Sequence, residues 1–103
     1  MQNEIYTVNE IQSVVAPIAA KHGVERVYLF GSYARGNPSD ESDIDLRIDK
    51  GKLKGMFALG ALYSDLETHL KKRLDLLTTG SLDAAFLRSI EKEEVLLYDS
   101  SEP

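Results

Sequence analysis

The stretch from Asp43 to Ile48 reads Asp-Ile-Asp-Leu-Arg-Ile and alternates charged with aliphatic side chains. Successive side chains of a β-strand point to opposite faces of a sheet. The aliphatic residues therefore predict a strand with one buried face, and Asp43 and Asp45 lie together on the other face. Two carboxylates side by side on a rigid strand repel each other unless a cation lies between them. The pair suits a divalent cation bound through oxygen, such as magnesium or manganese.

Two other interpretations of this aspartate pair were weighed against the metal site. The carboxylates could be solvated side chains on an edge strand, although aspartate is depleted in strands and a mid-strand pair on one face is unusual. The spacing alone leaves that interpretation and the metal-binding one open. A calcium-binding loop is excluded, because Arg47 and Ile48 stand where such a loop needs a ligand and a glycine.

The residues before the aspartates predict a strand followed by a tight turn. Arg26 to Phe30 forms the first strand, and Gly31-Ser32 opens one or two helical turns that reach Arg35. Unpaired N–H groups at such a turn can bind an anion, and glycine lets a phosphate approach the backbone closely. The hydroxyl of Ser32 can donate one more hydrogen bond. An ordinary capped turn is the alternative, since Gly-Ser is common at turns.

The spacing of Gly31 and Gly36 also imitates part of a Walker phosphate-binding loop. That motif requires lysine and then serine or threonine after the second glycine. Asn37 and Pro38 stand at those two positions instead. The Walker interpretation therefore fails, and a P-loop ATPase is excluded with it.

Asp75 is a third carboxylate with a possible place in the same site. It lies in the middle of an apolar predicted strand, where an unpaired charge is costly. A structural role would pair it with Arg35 or Arg47. If its strand lies beside the second strand, Asp75 completes a triad with Asp43 and Asp45. Three carboxylates can hold two divalent ions about 4 Å apart, an arrangement used in phosphoryl chemistry.

Three other polar residues, Arg35, His22 and His69, were considered as functional candidates. Arg35 would touch phosphate or tie the turn to Asp40 or Glu41, and the tie is slightly favoured. His22 is predicted at a helix end and His69 on an exposed helix face, and neither is expected to have a functional role.

A helix precedes the first strand and has signals at both of its ends. Thr7 with Glu10 three residues later predicts a capping box at the start. Gly23 predicts the C-cap, after an end near His22. Pro17 lies inside the helical pattern, and we expect it to bend or divide the helix because proline removes a hydrogen bond.

The later periodicity predicts two helices alternating with two strands, which indicates an α+β fold. We expect a small mixed β-sheet with helices packed mainly on one face. Ser81 is expected to cap the last helix, with Leu82, Phe86, Leu87 and Ile90 on its buried side. The other predicted bounds are about Leu53 to Lys72 for the second helix, Arg73 to Thr78 for the third strand and Glu94 to Tyr98 for the final strand.

Length and composition suit a single domain, which we place at residues 1–103. A formal net charge of −5 gives no general affinity for a nucleic acid backbone. The absence of cysteine excludes disulfides and thiolate zinc sites. No secretion signal and no apolar run of membrane-spanning length is visible, so we expect a cytoplasmic protein.

The turn and the aspartate strand combine into one long pattern. Its residues are Gly31, Ser32, Ala34, Arg35 and Gly36, followed by Ser42, Asp43, Asp45 and Leu46. With a separate strand aspartate, this pattern resembles the minimal nucleotidyltransferase family of the DNA polymerase beta-like nucleotidyltransferase superfamily. The resemblance extends from about Ile11 to Tyr98, and it implies the polymerase beta-like nucleotidyltransferase fold.

The resemblance implies a nucleotidyl transfer that depends on two magnesium ions, or manganese in their place. Asp43 and Asp45 would ligate the ion that carries ATP, and Asp75 would bind the second ion and favour deprotonation of the acceptor hydroxyl. The implied nucleotide contacts are Gly31 and Ser32 on the β- and γ-phosphates, together with Arg35 and Ser42. Such a reaction relies on positioning and charge neutralisation rather than on a covalent nucleophile.

The resemblance also implies a protein partner. Larger relatives carry an additional helical domain that helps to hold the acceptor, so we expect another protein to bring the hydroxyl here. Minimal nucleotidyltransferases are often paired with a HEPN RNase toxin. The implied function is AMP transfer from ATP to a hydroxyl of that toxin, expected to be a tyrosine, which would make this chain a type VII-like antitoxin.

Two rival functions remain open at the level of sequence. A non-catalytic antitoxin would block its partner by contact, and its aspartates would then be dispensable. A small-molecule nucleotidyltransferase subunit, as in antibiotic resistance, would need a helical partner or a homodimer to build the acceptor pocket.

Overall fold

A computed structural model describes residues 5–101, which form four helices and four strands connected by short loops and one 3₁₀ turn. In chain order these elements are α1 (Val8–His22), β1 (Arg26–Phe30), α2 (Ser32–Arg35), β2 (Ile44–Asp49), α3 (Gly55–Leu70), β3 (Leu74–Thr78), the 3₁₀ turn (Thr79–Ser81), α4 (Ala84–Glu91) and β4 (Val95–Asp99). The predicted α+β class is confirmed.

The strands form one mixed sheet in the order β3-β2-β1-β4. The central strand β1 is antiparallel to both β2 and β4, whereas β3 runs parallel to β2. One face of the sheet carries the core: Ile44, Leu46 and Ile48 of β2 are completely buried there. Helices α1 and α3 supply the other half of that core through Ile11, Val15, Leu62 and Leu66. The other face of β2 therefore carries the charged residues of the alternating stretch.

Helix α1 begins and ends as its sequence predicts. The Thr7 side chain accepts the Glu10 N–H, the Glu10 side chain accepts the Thr7 N–H, and Gly23 ends the helix in the left-handed region at φ 76°. Of the two expected effects of Pro17, a bend or a division, the division is excluded because α1 is continuous. Buried residues on both sides of the proline, Val15 and Ile18, hold the helix against the core despite the lost hydrogen bond.

Helix α4 differs from its sequence prediction at its start and on its packed side. Its N-cap is Asp83, whose side chain accepts the Phe86 N–H at 2.8 Å, and Ser81 instead belongs to the 3₁₀ turn. The Ser81 hydroxyl is used within that turn, where it donates to the Thr78 carbonyl. Phe86, expected to be buried, is 41% exposed, and Ile90 is the buried residue of the helix. Within residues 5–101, no helix is long and apolar enough to cross a membrane.

Candidate active site

Gly31 joins β1 to α2 and lies in direct contact with the carboxylate of Asp45. Its backbone has φ 78° and ψ −157°, a conformation that residues other than glycine rarely adopt. A Cβ atom at this position would collide with the Asp45 carboxylate. The neighbouring Tyr33 is buried in the core and fixes α2 below the turn. The glycine is therefore required both by the turn and by the closeness of Asp45.

Two of the three predicted aspartates, Asp45 and Asp75, are neighbours across the sheet, and the third differs in its support. Asp45 of β2 and Asp75 of β3 are direct neighbours in the parallel register, so both side chains lie on the face away from the core. Asp43 was predicted to lie within β2, but the strand begins at Ile44 and Asp43 is the last residue of the preceding loop. Strand pairing therefore fixes Asp45 and Asp75, whereas Asp43 lies just outside the strand.

Asp45 carries the clearest electrostatic signature of the site. Burial raises the pKa of its carboxyl group to about 6, and the negative charges of Asp75 and then Asp43 add to that rise. The Arg35 guanidinium acts in the opposite direction but does not cancel it. The three carboxylates thus create an excess of negative charge that a bound cation would relieve.

The Arg73 guanidinium pairs with one of these carboxylates, that of Asp43. Its Nε atom donates to Asp43 Oδ1 at 3.1 Å, and its side chain is 84% exposed. In the part of the chain that the structure describes, no group of three or more His, Asp or Glu side chains is arranged to hold a metal ion as it stands.

Asp75 is exposed, contrary to the expectation that its charge would be costly in an apolar strand. Its strand β3 is an edge strand, and the open face of the sheet leaves its carboxylate in water. The structural alternative, an ion pair of Asp75 with Arg35 or Arg47, is wrong for residues 5–101: Arg35 pairs with Glu93, and Arg47 with Glu94 and Asp49.

A cleft of about 620 Å³ lies between the turn, the loop before β2 and α4. The residues of this cleft that the sequence predicted are Gly31, Ser32, Arg35, Ser42, Asp43 and Asp45; Phe30, Phe86, Ser89, Ile90 and Glu93 complete its lining. Asp75 is not one of the lining residues and flanks the cleft from β3. The cleft therefore joins the predicted phosphate-binding turn to two of the predicted metal ligands, Asp43 and Asp45.

The side chains of Arg35 and Ser42, both predicted nucleotide contacts, are engaged with other protein groups. Arg35 pairs with Glu93 at 3.1 Å, so the expected tie to Asp40 or Glu41 is wrong. The Ser42 hydroxyl accepts the Ser39 N–H at 2.9 Å and thereby stabilises the loop before β2.

Sequence reasoning missed Glu93 altogether. Its carboxylate accepts the Gly31 N–H at 2.9 Å and pairs with Arg35, although the chain separates these residues by about sixty positions. In the sequence it stands among other charged residues at the end of a helix, and only the pairing of β4 with β1 brings it to the turn. No local signal could have identified it.

Comparison with known proteins defines the class of this site. Residues 12–103 match the sequence profile described as polymerase beta, nucleotidyltransferase. A Methanocaldococcus jannaschii protein, provisionally named a protein adenylyltransferase, is 40% identical over 88 residues, which cover 85% of this chain and 95% of that protein. The chain belongs to the polymerase beta nucleotidyltransferase family.

Solved structures agree with that assignment at the level of the fold. A provisionally named minimal nucleotidyltransferase superposes with a TM-score of 0.76 at 26% identity, covering 87% of this chain and 95% of its own. A chain from the Shewanella oneidensis complex of a tri-AMPylated HEPN toxin with an MNT antitoxin superposes with a TM-score of 0.69 at 18% identity, covering 91% and 74%. The predicted minimal nucleotidyltransferase fold is thus confirmed, and the chain is a nucleotidyltransferase by family.

Proposed function

We propose that this chain is a magnesium-dependent protein adenylyltransferase that moves AMP from ATP to a hydroxyl group of a HEPN-family toxin in the cytoplasm, and so neutralises it. One observation carries the proposal: a glycine turn without a Cβ touches a carboxylate whose neighbours are two further carboxylates. An anion site and a cation site in direct contact suit a nucleoside triphosphate bound with its metal ion.

The chemistry of the donor set fits divalent magnesium. Asp43, Asp45 and Asp75 offer carboxylate oxygens, the ligands that hard cations prefer. The raised pKa of Asp45 expresses the same demand for positive charge. Magnesium held there would neutralise charge on the triphosphate and polarise the phosphorus–oxygen bonds. Asp43 would exchange its ion pair with the exposed Arg73 for the metal ion.

The residues of the cleft would orient the nucleotide by distinct contacts. The Gly31 N–H and the Ser32 hydroxyl would donate to the β- and γ-phosphates, and the Arg35 guanidinium would bind a phosphate oxygen. Ser42, through its bond to Ser39, would keep the loop that carries Asp43 in place. These contacts lower the barrier by positioning the α-phosphorus for attack rather than by covalent chemistry.

The transfer forms one bond and breaks one bond. The acceptor hydroxyl oxygen bonds to the α-phosphorus, the bond from that phosphorus to the bridging oxygen breaks, and pyrophosphate leaves. Asp75, which is exposed on the edge strand, would bind the second ion and favour deprotonation of the acceptor hydroxyl, whose proton would pass to water. An edge position suits this task, because a large acceptor can approach β3 from outside.

The relatives support a protein acceptor. The Methanocaldococcus jannaschii protein is named for adenylyl transfer to protein, and the structurally similar Shewanella oneidensis chain belongs to a complex with an AMPylated HEPN toxin. A tyrosine is the proposed acceptor residue of the toxin. The cleft of about 620 Å³ leaves room for a nucleotide.

The test is incubation of the chain with its cognate HEPN protein, magnesium and ATP labelled at the α-phosphate. We expect label on the HEPN protein and release of pyrophosphate, with a loss of about 100-fold or more in Asp43→Asn. Asp40→Asn removes an exposed carboxylate from the same loop and serves as the matched control.

Three outcomes would contradict the proposal. Toxin neutralisation that survives the triple change of Asp43, Asp45 and Asp75 to Asn would identify a binding module that acts by contact. Label found only on a small alcohol would identify a small-molecule nucleotidyltransferase. Equal labelling by the wild type and Asp43→Asn would remove the aspartates from the reaction.

A further inference from the structure

Glu93 occupies the two donors that the proposed function assigns to phosphate. Its carboxylate accepts the Gly31 N–H at 2.9 Å and pairs with the Arg35 guanidinium at 3.1 Å. A carboxylate oxygen and a phosphate oxygen are equivalent acceptors for an N–H group and a guanidinium. A phosphate therefore competes with Glu93 for the Gly31 N–H and for the Nη1 group of Arg35.

We infer that Glu93 is a positioning residue that acts as a resident anion: it fills the phosphate site of the free protein, must leave when a triphosphate binds, and thereby sets the nucleotide affinity. The inference rests on the proposed function, since it concerns the same turn. It adds a residue that lies outside the glycine-serine motif and the aspartate strand.

The Glu93 carboxylate opposes the binding of a nucleotide in the cleft in two ways. Glu93 blocks the donors directly, and its negative charge adds to that of Asp43 and Asp45 along the same cleft. Its charge is one of the contributions that raise the pKa of Asp45. Removing this charge should therefore favour any polyphosphate that enters, with or without a metal ion.

The surrounding chain allows Glu93 to move while the sheet stays in place. Its side chain is 26% exposed, whereas that of the next residue, Glu94, is 6% exposed and is bound by Arg47. On the other side lies α4, where Phe86 packs edge-to-face on Phe30 at 6.4 Å and only Ile90 is buried. The segment before Glu94 is thus attached by few groups, as expected for a part of the chain that yields to a ligand.

The experiment compares the wild type with Glu93→Gln, which keeps the size of the side chain and removes its charge. Glu91→Gln removes the same charge from an exposed position at the end of α4 and is the matched control. Isothermal titration calorimetry with magnesium-ATP and with inorganic tripolyphosphate measures affinity, and labelled transfer measures KM and kcat. We expect Glu93→Gln to bind both probes about tenfold more tightly and to lower KM with kcat unchanged. Glu91→Gln should stay within about twofold of the wild type.

The possible results separate this inference from the proposed function. Equal or weaker binding by Glu93→Gln, with binding by the wild type intact, overturns the inference and leaves the proposed function standing. A loss of kcat at unchanged affinity also overturns it and would place Glu93 in the chemistry. No binding by either protein overturns both, whereas binding gained only by Glu93→Gln supports the inference.

Folding is controlled in the same experiment. The melting temperature of each variant is measured, and Glu93→Ala provides a second way to empty the site should Glu93→Gln fold poorly. In the wild type, the amide resonance of Gly31 must shift when tripolyphosphate is added, because its acceptor changes. An unchanged Gly31 resonance at saturating tripolyphosphate contradicts the exchange of anions.

Discussion

Asp45 and Asp75 stand side by side on the parallel strands β2 and β3, with both carboxylates on the face of the sheet opposite the core. Neighbouring strands are about 4.8 Å apart, so these like charges destabilise the protein when no cation is bound. The geometry that suits metal binding therefore lowers the stability of the metal-free protein.

Replacing Asp75 should change both the stability of the metal-free protein and the rate of adenylyl transfer. We expect Asp75→Asn to stabilise the metal-free protein by about 0.5–1 kcal/mol, because one member of a like-charged cross-strand pair is removed. The same change should reduce adenylyl transfer by about 100-fold or more. Differential scanning fluorimetry in EDTA and in magnesium measures the stability, with Asp40→Asn as the control. A magnesium-induced rise in melting temperature equal to that of the wild type would contradict a role for Asp75 in metal binding.

Asp45 should make the stability of the metal-free protein depend on pH. Its pKa in the folded state is about 6, above the ordinary value of 3.8, so the folded protein binds the proton more tightly than the unfolded chain does. Stability is therefore greatest below about pH 4, falls as the pH rises to about 6, and is then constant with respect to this group. The full effect of such a pKa change is about 3 kcal/mol, and solvent screening of the half-buried carboxylate reduces it to about 1–2 kcal/mol.

Asp45→Asn should remove this dependence. In EDTA we expect the variant to be more stable than the wild type by about 1–2 kcal/mol at pH 7.5 and equal to it near pH 4. Urea unfolding across this pH range checks the expectation, and Glu41→Gln, in an exposed loop position, is the control. A constant difference at all pH values would mean that the substitution acts through packing instead of charge.

The fold could be predicted largely because its signals are local. Alternation in Asp43–Ile48 predicts which face of β2 is buried, and the capping box of Thr7 and Glu10 predicts where α1 begins. Both are confirmed, since each depends on residues adjacent along the chain. The start of α4 could not be fixed in this way, because Ser81 and Asp83 are both good caps and the intervening 3₁₀ turn uses the first of them.

The site could be predicted only in part. Gly31 and Asp45 belong to one continuous motif. The position of Asp75 beside Asp45 depended only on the prediction that β3 lies beside β2. Glu93 reaches the turn through the long-range pairing of β4 with β1, which no periodicity encodes. Phe86 also could not be predicted from periodicity. It stays exposed because α4 lies at the margin of the cleft, where no other element of the described chain fully covers this side chain.

Substitutions of Gly31 and Gly36 should separate backbone strain from steric collision. Both glycines have positive φ, 78° and 83°, but only a Cβ at Gly31 meets the Asp45 carboxylate, whereas nothing lies within 4 Å of one at Gly36. We expect Gly36→Ala to cost about 1 kcal/mol from strain, and Gly31→Ala to cost at least about 1–2 kcal/mol more. Chemical denaturation measures both. Equal costs would show that Asp45 moves away freely, which would weaken the link between turn and metal site.

Arg73 should compete with a metal ion for Asp43. The pair is exposed, so we expect Arg73→Gln to leave the melting temperature within about 2 °C of the wild type. Half-maximal stabilisation by magnesium should then require about two- to fivefold less of the ion, because Asp43 no longer has to release a guanidinium. Titration of magnesium against melting temperature tests this, and Arg88→Gln on the exposed side of α4 is the control. A requirement for more magnesium would show that Arg73 prepares Asp43 for the metal.

Arg47 and Glu94 provide the contrast to the ion pairs of the cleft. Each side chain is 6% exposed, Glu94 accepts Arg47 Nη2 at 2.7 Å, and the guanidinium lies 4.1 Å from the centre of the Tyr28 ring. Removing Glu94 leaves the buried Arg47 guanidinium with only the longer ion pair to Asp49 at 3.6 Å, so Glu94→Ala should lower the free energy of unfolding by about 3 kcal/mol.

The double variant Arg47→Met with Glu94→Leu should recover much of that loss, because it leaves no buried charge unpaired. Urea denaturation of the single and double variants gives the coupling energy. Glu93→Gln, one residue away, changes a side chain that is 26% exposed, against 6% for Glu94, and should lose far less stability than Glu94→Ala. Equal losses at the two neighbouring glutamates would mean that both are structural, and that the carboxylate at the Gly31 turn is fixed there as firmly as Glu94 is fixed by Arg47.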